Sequence, residues 1–170
     1  MLEKLFNTLV EWIESVRPFM VVHAYEQAVL LRWGRFKRVL EPGFHWVIPF
    51  VDYAIVQTVV ANTMRLLPQN LTTADDQAIA VTGIITFKIV DVRAFLIDVE
   101  GGTEAIADTT YGALAEWVAS STLADVRDPS KWARLETKIR RAAKDYGIDV
   151  LRFKLSDCVK ARAIRLLTNN

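Results

Sequence analysis

Nucleophilic chemistry would have to start from Cys158, the single cysteine of the chain. Lys160 and Arg162 lie close enough in sequence to favour its thiolate. No residue is placed to act as its base, so the thiol reads as inert. Asp75-Asp76 is an adjacent carboxylate pair, the raw material of general acid–base catalysis. Neighbouring residues in a strand or turn point apart, however, and a turn is the plain explanation. His23 and His45 have no partners at metal-ligand spacing, and one cysteine excludes a cysteine-based zinc site. G-x-S-x-G, P-loop and H-E-x-x-H patterns are absent. The expectation is a protein with no catalytic residues, no metal and no cofactor.

Binding chemistry is better represented. Arg32, Arg35, Lys37 and Arg38 surround Trp33 and Phe36, a basic–aromatic cluster whose default reading is a solvated turn and whose functional reading is contact with lipid phosphates. Nucleic acid is not expected as a partner, because net charge is +1 and no basic track extends beyond the cluster. The segment Phe44-His45-Trp46-Val47-Ile48-Pro49-Phe50 is strongly aromatic. Phe44, Trp46, Ile48 and Phe50 suit either a membrane-contact loop, with tryptophan at headgroup depth, or core packing across a pleat. His45 reads as structural.

The elements that must position these residues follow from periodicity. Residues 2–16 place Leu2, Leu5, Phe6, Leu9, Val10, Trp12, Ile13 and Val16 on one side of a helix, with Pro18 closing it. Leu2, Leu5, Phe6, Leu9, Trp12, Ile13 and Val16 form the expected membrane anchor. The competing destination is the chain's own domain or a neighbour, since Glu3, Glu11 and Glu14 leave the polar face without its usual basic character. Residues 26–90 read mostly as strand, with turns at Gly34, Glu41-Pro42-Gly43 and Asp75-Asp76. Ile79, Val81, Gly83, Ile85, Phe87 and Ile89 give one strand a strongly apolar face. A short helix is expected over Asp91–Val99, and a longer one capped by Thr103. A third follows Asp128-Pro129, buries Trp132, Leu135, Ile139, Ala142 and Tyr146, and ends at Gly147. Leu151, Phe153 and Leu155 return as a last strand with an inward face, and 158–167 suits a short amphipathic helix. Strands segregated from helices define an α+β fold: a mainly antiparallel sheet with helices on one face, preceded by an N-terminal amphipathic helix. No apolar run reaches the roughly 18–20 residues of a membrane-spanning helix, and no signal peptide is evident. The chain is expected to stay on the side where it is made, peripheral, on the cytoplasmic face of a membrane.

Three stretches carry a resemblance. YEQAVLLRWGRFKRVLEPGFHWVIP, from Tyr25 to Pro49, resembles the opening of SPFH (band 7) domains, shared by stomatins, prohibitins and flotillins. LTTADDQAIAVTGIITFKIVDVRAFL resembles that family's hairpin and long strand, and YGIDVLRFKLSDC its late strand. The resemblance covers about residues 25–158 in order. It divides the chain into an amphipathic helix at 1–20, the SPFH domain at 21–157 and a short helical tail at 158–170. It implies loops near Phe44–Phe50 that touch membrane, and a non-enzymatic, membrane-associated oligomeric scaffold that organises lipids or membrane proteins. Partners implied are further copies or related SPFH subunits, membrane lipids and, by analogy, a membrane-bound protease. Because the long coiled coil of many relatives does not follow the late strand, weaker self-association is expected, with Ile164, Leu166 and Leu167 at the contact. The rival reading is a soluble adaptor or inhibitor that docks on a partner protein through residues 2–16.

Overall fold

In the computed structural model the described residues are 18–160. They fall into two compact units, the first running to Val60 and the second from Ala61. The anchor residues of 2–16 and the contact residues Ile164, Leu166 and Leu167 lie outside the described residues.

The first unit is built from strands alone. β1 (Phe19–Val22) pairs antiparallel with β4 (Gly43–Trp46) as a two-stranded ribbon. β2 (Glu26–Arg32) is the centre of a second sheet, with β3 (Arg35–Leu40) on one side and β5 (Asp52–Thr58) on the other. The turn Trp33-Gly34 joins β2 to β3 with both residues at positive φ, as a two-residue hairpin of matching twist requires. Among the described residues, Val22, Ala28, Leu30 and Leu40 are buried together, with Met20, Val47 and Ala54 packed against them, and Val29 is buried as well. Phe19 and Met20 are therefore strand residues, although the 1–20 boundary read from the sequence assigns them to the helix. Pro18 ends any helix before them, and Val47 N–H bonds the Pro18 carbonyl at 2.9 Å to hold the strand start.

The second unit is centred on β8 (Ala78–Ile89), whose alternate residues from Ile79 to Ile89 are buried as the pattern predicts. Its two sides are occupied differently. β6 (Asn62–Arg65) and β7 (Gln69–Thr72) share one side, while β9 (Ile148–Lys160) covers the whole of the other, all antiparallel. Gly83 makes the closest crossing possible: a Cβ there would lie 3.1 Å from the Phe153 ring.

Three details depart from expectation. β9 carries extra residues at Leu151 and Ser156, so each register shift resets which side faces the core. Leu151 is consequently exposed and Val150 takes the inward position. The strand also continues through Cys158, Val159 and Lys160, residues assigned to the tail from sequence, because Ile79, Ala80 and Val81 supply pairing partners. Finally, helix α1 (Gly102–Ala119) is preceded by Gly101 in the left-handed region, with no side-chain cap, so Thr103 lies inside the helix.

Around the sheet, a π-helical turn at Ala94–Asp98 occupies the predicted short helix. α2 (Leu123–Arg127), unforeseen in the sequence reading, is a single turn closed by a reciprocal capping box between Thr122 and Asp125. Asp128 accepts from Ser130 N–H and opens a short 3-10 turn that leads into α3 (Trp132–Ala143). α3 buries Leu135, Ile139 and Ala143 and packs against α1 and β9. Helices on a mainly antiparallel sheet make this the expected α+β fold.

Candidate membrane interface

The β1–β4 ribbon divides its side chains by register. Phe19 opposes Trp46 and Val21 opposes Phe44, so these four share one face, since opposed residues and those two apart project together. Met20, Val22 and His45 point the other way. Val22 reaches the core, and His45 Nε2 bonds the Glu41 carbonyl at 2.6 Å, which fixes it as a structural residue. The outward face is apolar and exposed, with Phe44 at 56% and Trp46 at 68% accessibility. Phe44 stacks on Phe19 at 5.4 Å and meets the Trp46 edge at 5.5 Å, so the rings form one contiguous surface. Phe19 and Val21 are absent from the site read from sequence. The signal was the period-two run after Pro18, masked by the helical pattern preceding it.

Ile48 and Phe50, in the β4–β5 connection that follows, are exposed as well. Phe50 is 85% exposed and holds φ +65°, and Trp33 is 76% exposed at φ +53°. Positive φ is costly for such bulky residues. The two turns are joined, because Trp33 N–H bonds the Val51 carbonyl at 3.0 Å. Both aromatic tips therefore sit at one end of the β3–β2–β5 sheet.

A single carboxylate holds this end together. Asp52, whose side chain is 0% exposed, accepts from Arg32 Nε at 2.7 Å and Nη2 at 2.9 Å. Its second oxygen also accepts the Ile48 N–H at 2.9 Å, which ties the aromatic connection to the strand. Asp52 was not legible beforehand, because its role depends on lying opposite Arg32 across β2 and β5. Arg32 is thus committed to Asp52. Arg35, Lys37 and Arg38 are exposed on β3 and make no ion pair among the described residues. The predicted basic cluster is reduced to these three cations beside the aromatic turn.

The Arg32 hydrogen bond, followed by that from Ile48, lowers the Asp52 carboxyl from 3.8 to about 2. A carboxyl with a depressed native pKa adds stability only where it is ionised in the folded chain. Asp52→Asn should therefore lower the melting temperature by several degrees at neutral pH. The gap from wild type should stay full above pH 3.8, narrow on acidification, and close below about 2. Paired thermal melts between pH 2 and 7 would check this; a gap independent of pH would remove the charge from the account.

The other residues with reactive side chains have structural surroundings. Asp75 accepts Thr73 Oγ1 at 2.6 Å and Leu123 N–H at 3.1 Å, and the Thr73 bond foremost depresses its carboxyl. Asp76 lies in the same turn at φ +53°. Cys158 is half-buried opposite Val81 on β9, and Lys160 Nζ is engaged with Gln77 Oε1 at 3.1 Å. Among the described residues no group of three His, Cys, Asp or Glu could hold a metal. Among them, too, no helix is long and apolar enough to cross a membrane.

Comparison with known proteins agrees with this architecture. The family model described as SPFH domain / Band 7 family matches residues 20–165. An uncharacterized protein of Methanocaldococcus jannaschii is 22% identical over 144 residues, covering 84% of this chain and 72% of its own length. Protein HflK of Treponema pallidum is 26% identical, over 79% of this chain and 48% of its own. The mitochondrial stomatin-like protein 2 of Rattus norvegicus is 27% identical, over 81% and 40%. The chain thus spans about half or less of the length of the latter two. With two ordered units matched from β1 through β9, this chain belongs to the SPFH domain / Band 7 family.

Proposed function

We propose that the first unit docks on a membrane surface and that the chain works as a peripheral, non-catalytic scaffold for lipids or membrane proteins. One observation carries the reading: Phe19, Val21, Phe44 and Trp46 form an exposed apolar face, and Phe50 in the next connection is 85% exposed. Contiguous apolar surface of this kind marks an interaction site, and tryptophan with phenylalanine suits headgroup depth. Arg35, Lys37 and Arg38 add cations that attract anionic headgroups, each contributing about 1 kcal/mol near such a surface. The positive φ of Phe50 supports the same reading, since backbone cost is tolerated where a side chain must be presented.

Residues 2–16 are proposed as a second anchor on their sequence pattern, and Ile164, Leu166 and Leu167 as an oligomer contact. Association with related subunits or with a membrane-bound protease, on the cytoplasmic face, follows from the family resemblance. The deciding experiment is flotation with vesicles of neutral and of anionic lipid. Phe44→Glu/Trp46→Glu should lose binding to both, whereas Arg35→Glu/Lys37→Glu should lose mainly the anionic component. Binding unchanged in the aromatic variant would leave the adaptor reading, tested by deleting residues 2–16.

A further inference from the structure

A cavity of about 410 Å³ lies in the second unit where the end of α1, the α2 turn and the start of α3 meet. That volume is within the range of small-molecule sites and exceeds what a lone ion would fill. Half-buried Trp117 gives it an aromatic wall. Lys131 and Arg134, both exposed, line it with two cations. Neither makes an ion pair among the described residues, although Lys131 lies near enough to Asp128 to act on it at longer range.

Two further groups give the cavity a polarity of its own. Ser121 is 9% exposed, its N–H bonds the Val118 carbonyl, and its own carbonyl accepts the Ala74 N–H. Its hydroxyl has no hydrogen-bond partner among the described residues. Among those residues only Gln69 Oε1 is a side-chain polar atom both sealed off and unpartnered. The Ser121 hydroxyl therefore keeps an opening, and the cavity it lines supplies one. A buried hydroxyl left without a partner is costly unless something enters to bond it. Asp125 also lines the cavity. It uses Oδ2 for the capping box, accepting from Thr122 N–H and Oγ1, which leaves Oδ1 able to accept from a ligand.

We propose that this cavity binds the phosphate group of a small soluble molecule, with Lys131, Arg134 and the Ser121 hydroxyl as donors and Asp125 accepting a hydrogen bond from the ligand. Charge-assisted bonds from lysine and arginine hold an oxyanion, arginine through its planar fork. A carboxylate beside them repels a fully deprotonated anion. It suits one that keeps a proton or a neighbouring hydroxyl to donate, as hydrogen phosphate and sugar phosphates do. The rest of such a ligand has Trp117 to lie against. These residues are distinct from the membrane-docking face, which belongs to the first unit.

Titration of the full chain with inorganic phosphate at constant ionic strength, followed by amide and indole NMR signals, tests the assignment. Saturable shifts should centre on Ser121, Lys131, Arg134 and the Trp117 indole, with a dissociation constant on the order of 1 mM. Ribose phosphate should move the same signals. Arg134→Gln and Lys131→Gln should each weaken phosphate about tenfold and Ser121→Ala about threefold, while Arg141→Gln, on the same helix outside the cavity, should not. Sulfate, with no proton to give Asp125, should bind about tenfold more weakly than phosphate. Asp125→Asn, whose amide oxygen can still cap Thr122, should abolish that preference. Flotation of wild type and Arg134→Gln with vesicles containing phosphatidic acid separates a lipid headgroup from a soluble ligand, and equal flotation is expected. No saturation by about 50 mM phosphate, or equal weakening by Arg141→Gln, would overturn the proposal. So would sulfate binding as tightly as phosphate, or flotation lost in Arg134→Gln without a response to soluble phosphate.

Discussion

Gly147→Ala is expected to destabilise the protein by roughly 2–4 kcal/mol, a large share of the stability of a domain this size. Gly147 ends the helical run after α3 at φ +71°, a conformation that costs an ordinary residue about 1–2 kcal/mol. Contact adds to that. A Cβ at this position would lie 2.3 Å from the Asp91 carbonyl oxygen and 3.1 Å from the Ala94 Cβ. The site cannot simply open, because the Gly147 carbonyl accepts both Val90 and Asp91 N–H, at 2.9 and 3.1 Å. These bonds join the end of β8 to the start of β9, so displacement there propagates into the longest strand pair. Gly147→Asn separates the causes. Asparagine tolerates the left-handed region, and if backbone conformation were the whole cost it would nearly restore stability. The short contact predicts that asparagine does no better than alanine. Denaturant midpoints for the three proteins decide between them.

Leu30→Ala should have an effect of similar size, but confined to one part of the molecule. Leu30 is 1% exposed and, among the described residues, shares its cluster with the buried side chains of Val22, Ala28 and Leu40. Leucine-to-alanine changes at such positions cost about 2–5 kcal/mol, more where neighbours cannot close the cavity. Here the neighbours sit on strands fixed by hydrogen bonds, so they have little freedom to close the gap. All helices among the described residues belong to the second unit, which has its own buried set in Ile79, Ile85, Ile106, Leu114 and Ile139. The variant should therefore keep its helical circular dichroism while amides of β2, β3 and β5 lose protection from hydrogen exchange. Uniform loss of protection across both units would show that they unfold together.

Much of this fold could be read from residue order, and the limits have physical causes. β8 was legible because strict alternation from Ile79 to Ile89 leaves one interpretation. The α3 boundaries were legible because Asp128-Pro129 and Gly147 act locally, through capping and a left-handed stop. Leu151 was misread because a bulge is a property of the pair, set by what β8 offers opposite, and not of β9 alone. The same holds at the candidate interface. Phe44, Trp46, Ile48 and Phe50 could be chosen by type, but exposure versus core burial depends on which face of the ribbon meets Val22 and Leu30. Arg32 was grouped with its neighbours by sequence proximity. Its pairing with Asp52, twenty positions away, is a consequence of register and takes it out of the headgroup set.

The order in which β8 finds its partners also shapes how the chain must fold. β6 and β7 lie close in sequence and can close their side of β8 early. On the other side Ile79 pairs with Lys160 and Ile89 with Ile148, across the whole helical block. Such high contact order makes this pairing slow and leaves that edge of β8 unpaired until it forms. During synthesis, which adds about 5–20 residues per second, the first unit's strands emerge completely before β8 does. β8 must then wait for some seventy further residues before β9 is available, several seconds at that rate. Throughout that interval a twelve-residue strand rich in isoleucine has an unpaired edge, which is where a chaperone would be needed and where misassembly with a second nascent chain would begin.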